Sequence, residues 1–160
     1  MEDNYKNIVK TLKKYKKTIS TMESCTGGAL ASEITNISGA SNILKFSAVT
    51  YSNEFKVKMG VSKDVIEQYT VYSKETAREM AKAISNFTES SYGIGITGKL
   101  GRRDPHNLCG NDNQVFICIY DCEKDFYDDL CLEVIGRKRS EAKDEILNFI
   151  GEKLQEYLNV

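Results

Sequence analysis

Apolar residues recur at helical spacing near the start of the chain. Tyr5, Ile8, Val9 and Leu12 share one face, which predicts a helix over about residues 2–16. The lysines around that stripe (Lys6, Lys10, Lys13, Lys14, Lys16, Lys17) fit a solvated face. Thr18 to Thr21 reads as a short strand, and a helix follows from near Thr26 or Gly27 through Ala29, Leu30 and Ile34. Ser38-Gly39 marks a turn between Ile37 and Asn42. The β-branched and aromatic run Phe46 to Tyr51 predicts a second strand. Ser52-Asn53 caps a short helix carrying Lys56, and Ser62 opens another with Val65, Ile66 and Tyr69.

Ser73 caps a longer helix in which Ala77, Met80, Ala81 and Ile84 form the apolar stripe. Tyr92 to Ile96 is a compact strand, and Thr97 to Asn113 a long polar loop holding the only proline, Pro105. Gln114–Tyr120 and about Phe126–Ile135 pair as a hairpin around Asp121 to Lys124. A last helix starts near Ser140, with Ala142, Ile146, Phe149, Ile150, Leu154 and Tyr157 as its stripe. This order predicts an α/β fold: one sheet covered by helices, parallel in its first part and antiparallel near the end.

Composition narrows the function classes. The chain has 160 residues, 41% hydrophobic and 28% charged, which fits one domain with a core that needs no metal or disulfide. Its 22 basic and 23 acidic residues leave a net charge of −1, which argues against a nucleic-acid partner bound through a broad basic face. There is no apolar run of bilayer length and no signal-peptide pattern, so no membrane partner is expected. The five cysteines form no C-x-x-C pair, and an odd count fits reduced thiols in the cytoplasm. A lone histidine, His106, leaves neither a cysteine–histidine metal site nor a Ser-His-Asp triad in view.

Three features carry candidate chemistry. Glu23-Ser24-Cys25-Thr26-Gly27-Gly28 sits at a strand-to-helix junction, where unpaired N–H groups favour negative charge. Such a junction suits a phosphate, or an oxyanion beside a nucleophile; it equally suits a plain capped helix. Tyr51 ends a strand and Lys56 follows one turn into a helix, the edge where α/β sheets place ligands. Lys56 fits a general base with a lowered pKa, or an ordinary surface lysine. Gly136-Arg137-Lys138-Arg139 precedes the last helix and fits either an anion clamp or a solvated basic turn.

Together these segments resemble the CinA C-terminal domain family, whose stand-alone members include nicotinamide mononucleotide (NMN) deamidases. The resemblance rests on Glu23 to Gly28, Ser38-Gly39-Ala40-Ser41, and Tyr51-Ser52-Asn53 with Lys56. It continues through Val71, Ser73 to Ala81, and Thr97-Gly98 with Gly101. It implies a three-layer α/β/α fold with one mixed, largely parallel sheet. It also implies an amidohydrolase that converts NMN to nicotinic acid mononucleotide and ammonia, with no cofactor and no metal. Carried over, Ser24 is the nucleophile, Lys56 its base, and Tyr51 an aid to proton transfer. Cys25, Thr26, Gly27, Gly28, Thr97, Gly98 and Arg139, or Arg137 beside it, surround the substrate. The partners implied are a pyridine nucleotide and further copies of the chain in a homo-oligomer.

The chain departs from the family in two places. The usual T-G-x-A-G-P runs here as Thr97 to Arg102, without its proline, and Arg137 stands where G-D-R has aspartate. No counterpart of the family's N-terminal half is expected, nor its nucleotide pyrophosphatase activity. The contrasting expectation is a non-catalytic nucleotide- or partner-binding module that keeps the pocket.

Overall fold

The computed structural model describes residues 1–101, 110–135 and 138–160. The chain runs α1 (Glu2–Lys14), β1 (Ile19–Glu23), α2 (Ala29–Thr35), a single 3-10 turn (Ala40–Asn42) and β2 (Leu44–Val49). It continues with α3 (Asn53–Lys58), α4 (Lys63–Tyr69), α5 (Lys74–Thr88) and β3 (Tyr92–Gly98). β4 (Gln114–Asp121), β5 (Phe126–Glu133) and α6 (Arg139–Leu158) complete it. The strands form one five-stranded sheet in the order β2-β1-β3-β4-β5. β1 pairs in parallel with β2 and β3, while β4 runs antiparallel to both β3 and β5.

Residue alternation along β1 and β3 divides the core between two faces. Ile19, Ile94 and Ile96 meet the buried stripes of α1, α2 and α6 on one side. Met22 meets Met80 and Ile84 of α5 on the other. Tyr5 of α1 is fully buried and donates its hydroxyl to the Leu147 carbonyl of α6 at 2.7 Å, which ties the two helices together. On the opposite face α5 lies unusually close to the sheet. A Cβ on Gly93 would sit 2.0 Å from the Ala81 carbonyl oxygen, and one on Gly95 would sit 2.2 Å from that of Ala77. Only glycine admits the helix at that distance.

Capping follows the expected hydroxyls. Ser52, Ser62 and Ser73 accept from the backbone N–H of Phe55, Val65 and Thr76, respectively. Several boundaries move. β2 ends at Val49, so Tyr51 lies two residues beyond the strand, because register with β1 decides the pairing of this edge strand. β3 continues through Thr97 and Gly98, which pair with Phe116 and Val115 on β4.

Candidate active site

β1 is a switch point: the chain leaves it for β2 on one side and later returns to it with β3 on the other. Crevices at the carboxyl ends of such strands are where open α/β sheets receive ligands. Glu23 and Ser24 stand at this edge, with Glu23 level with Val49 and Ile96.

The turn after β1 is tightly fixed. Ser24 N–H donates to the Ile96 carbonyl at 3.1 Å, and the Ser24 carbonyl accepts from Gly27 N–H at 3.0 Å. Gly27 and Gly28 then take φ of +62° and +92°, the left-handed region that glycine enters without strain. These two residues delay α2 to Ala29, later than the hydroxyl pattern predicts.

Glu23 is completely buried, and its carboxylate holds the turn from below. It accepts from the Thr21 hydroxyl at 3.1 Å, the Thr26 hydroxyl at 2.7 Å, and the N–H groups of Leu30 and Ala31 at 3.0 Å each. The first turn of α2 is therefore capped by an internal carboxylate. Its N–H groups at Leu30 and Ala31 are engaged and do not face a ligand. Among the described residues, the backbone N–H of Thr26 bonds no other residue, and that of Cys25 meets only its own thiol. Sequence pattern brings Glu23 to notice only as part of its hexapeptide; the signal for its role is an acid just ahead of a helix that offers no hydroxyl cap of its own.

Lys56 completes the centre. The Ser52 cap starts a helix of six residues, α3, that turns Lys56 inward until it is 1% exposed. Its Nζ donates to Ser24 Oγ at 3.0 Å and to the Thr50 carbonyl at 2.7 Å. Thr50 is itself fixed by its N–H, which donates to the Glu23 carbonyl at 2.8 Å. Of the two expectations for Lys56, the exposed lysine is excluded by this burial.

The other sequence candidates divide between the site and the scaffold. Tyr51 is 65% exposed and accepts from Arg139 Nη1 at 3.2 Å, so these two meet across the edge of the site. Cys25 points into the core, and burial pushes its thiol up to about 12. Thr26 gives its hydroxyl to Glu23. Thr97 is buried and donates to the Val71 carbonyl at 2.8 Å, pinning the segment before α5. A Cβ on Gly98 would come within 2.8 Å of the Val115 side chain, so its place is in close strand pairing. Arg137 lies outside the described residues, as do Pro105 and His106. Among the described residues, no cluster of three or more His, Cys, Asp or Glu could hold a metal ion, and no helix is long and apolar enough to cross a membrane.

Comparison with known proteins gives a consistent picture. The model of the CinA C-terminal domain matches residues 1–157. A CinA-like protein of Kosmotoga olearia is 44% identical over 95 residues, covering 59% of this chain and 23% of the relative. A CinA-like protein of Endomicrobium trichonymphae is 46% identical over 87 residues, covering 54% of this chain and 20% of the relative. The matched segment is thus less than a quarter of either relative's length. Among solved structures, a CinA superfamily protein from Klebsiella pneumoniae 700603 superposes with a TM-score of 0.89 at 19% identity, covering 99% of this chain and 97% of the other. A competence/damage inducible protein from Agrobacterium tumefaciens superposes with a TM-score of 0.87 at 23% identity, covering 99% and 95%. The two solved structures share the fold.

Proposed function

The chain belongs to the CinA C-terminal domain family, and from that premise we propose that it is an amidohydrolase that cleaves the carboxamide of NMN, or of a related pyridine amide, by a Ser-Lys mechanism. The observation that carries this is the 3.0 Å contact between Ser24 Oγ and Lys56 Nζ, both held away from solvent. Serine is a weak nucleophile until a base takes its proton. Burial disfavours an ammonium and so favours the neutral amine that can act as that base.

In the proposed reaction, Lys56 takes the hydroxyl proton as Ser24 Oγ attacks the amide carbon. The carbonyl oxygen becomes an oxyanion, which the N–H groups of Cys25 and Thr26 receive. Lys56 then returns the proton to the departing nitrogen, releasing ammonia and leaving an ester on Ser24. Water, deprotonated by the same amine, hydrolyses the ester to the carboxylate and restores Ser24. The Thr50 carbonyl holds Lys56 in line through both steps.

Ammonia release from NMN by the purified protein tests this, beside the Ser24→Ala and Lys56→Met variants. Turnover that disappears in both supports the reading. A folded wild-type protein that releases no ammonia from NMN or from other pyridine amides removes it and favours a binding module.

A further inference from the structure

Helix α6 turns two cations toward the site, and among the described residues neither has an acidic partner. Arg139 and Lys143 are four residues apart in α6 (Arg139–Leu158), which places them one above the other on the same face. Arg139 reaches one flank of the site at the Tyr51 hydroxyl. Lys143 reaches the other: a Cβ built on Gly27 would lie 3.5 Å from Lys143 Nζ. The Lys143 ammonium therefore lies against the turn that carries Ser24. Its charge acts on the Cys25 thiol.

What sets Lys143 apart is its place against the Gly27 turn, since other lysines such as Lys10, Lys13 and Lys14 also make no ion pair among the described residues. Residues three and four positions away on the helix are Arg139, Ser140, Ile146 and Leu147, none of them acidic. Among the described residues, neither Lys143 nor Arg139 forms an ion pair. Lys153, farther along the same helix, pairs with Glu156 at 2.8 Å in the ordinary way. A Cβ on Gly27 would meet the Lys143 ammonium only at ordinary van der Waals distance, so it is the φ of +62° that calls for glycine at this position.

We propose that Lys143 is a substrate-binding residue, and that with Arg139 it forms an anion clamp for a phosphate monoester whose amide end is presented to Ser24. A dianion matches two cations on one helix face, Arg139 at Tyr51 and Lys143 at the Gly27 turn. The identity of the anion as the phosphate of a pyridine nucleotide rests on the amidase reading above; the existence of an anion site at Lys143 does not.

Two measurements keep those claims separate. In the first, inorganic phosphate is titrated calorimetrically into the wild-type protein and into Lys143→Ala and Lys143→Arg. Loss of one charged contact should weaken binding at least about tenfold in the alanine variant, with the arginine variant close to wild type. No heat of phosphate binding to the wild type, or equal affinity in all of them, overturns the clamp. In the second, NMN is compared with its unphosphorylated riboside. Lys143→Ala should raise KM for NMN about tenfold while kcat and the kinetics of the riboside stay within about twofold, the signature of lost ground-state binding. An equal loss on both substrates overturns the assignment to phosphate. If no protein releases ammonia, the amidase reading fails while the calorimetry still decides the clamp.

Discussion

Lys56 Nζ lies 3.0 Å from Ser24 Oγ although the two residues are 32 positions apart in the chain. They meet because β1 and β2 are parallel neighbours ending at the same edge, with Glu23 level with Val49. Each strand then supplies its residue differently. Ser24 follows β1 directly, whereas Lys56 is returned to the edge by the Ser52-capped helix α3. The backbone of Thr50 joins the two halves, since its N–H binds the Glu23 carbonyl and its carbonyl binds Lys56.

Removing the amine while keeping the volume isolates its chemistry. Lys56→Met should fold, because the site is enclosed and methionine fills similar space. Its amide hydrolysis should fall by about a thousandfold, within the range for loss of a positioned base. Near-normal turnover in a folded Lys56→Met protein would show that another group activates Ser24.

Tyr51 and Arg139 should behave as one unit. Their 3.2 Å contact joins the residue after Thr50 to the first turn of α6, and both side chains are largely solvent-facing. Tyr51→Phe and Arg139→Ala should each lower kcat/KM by about tenfold, and the double variant should lose little more than either single change. Fully additive losses, measured in a double-mutant cycle, would mean that the two act separately.

The scaffold was more legible in the sequence than the site. Serine caps at 52, 62 and 73 and the apolar stripes of α1, α5 and α6 are local signals, and each appears where its pattern places it. The edge strand β2 slid by two residues at each end, because parallel register with β1 is a contact between distant segments. Thr97 and Gly98 read as loop for a similar reason: their pairing with β4 crosses the polar segment between them. At the site, residue types pointed to Ser24 and Lys56, but nothing local distinguishes a buried lysine from an exposed one. The burial of Glu23 and the closeness of Lys143 to the Gly27 turn both depend on which segments the fold brings together.

Helix α5 should not tolerate a methyl group beneath it. Gly95→Ala would place Cβ 2.2 Å from the Ala77 carbonyl oxygen and 2.7 Å from the Ala81 nitrogen, both of them backbone atoms. Relief requires the helix to move off β3, so a loss of about 3 kcal/mol or more is expected. A thermal melt within a few degrees of wild type, about the effect of 1 kcal/mol in a domain of this size, would contradict the close packing.

Cys25 should be chemically silent in the native state despite standing beside Ser24. Burial raises its thiol from 9.0 to about 12, so the thiolate is scarce at pH 8. At that pH the exposed Cys122 and Cys131 should alkylate first, and Cys25 only as fast as the protein opens. The same shift has a sign for stability. The folded state keeps the thiol proton more tightly, so its contribution is fully present below pH 9 and is lost as pH rises toward 12. Peptide mapping of alkylated protein with and without urea checks the labelling order.

Glu23 should prove the residue on which both stability and the position of Ser24 depend. Its carboxylate sits at 0% exposure and accepts from two hydroxyls and two backbone N–H groups, so it links β1 to the start of α2. Glu23→Ala leaves the Thr26 hydroxyl and the Leu30 and Ala31 N–H groups without their acceptor, while Thr21 keeps its 2.8 Å contact with Ser47 Oγ. Leaving each buried donor unpaired costs on the order of 1 kcal/mol or more, which sums to about 3–5 kcal/mol with some relaxation. Glu23→Gln keeps the shape but supplies an amide that can accept at one end only, and its NH2 would face an N–H or a hydroxyl. A loss of about 2 kcal/mol is expected there. Because Thr26 and Gly27 ride on this cap, Glu23→Gln should also lower kcat more than it raises KM, since the nucleophile turn shifts while the Arg139 and Lys143 cations stay in place on α6. Urea denaturation with parallel kinetics measures both effects. A glutamine variant with native stability and native kcat would show that α2 is anchored by other contacts and that the turn holds Ser24 unaided.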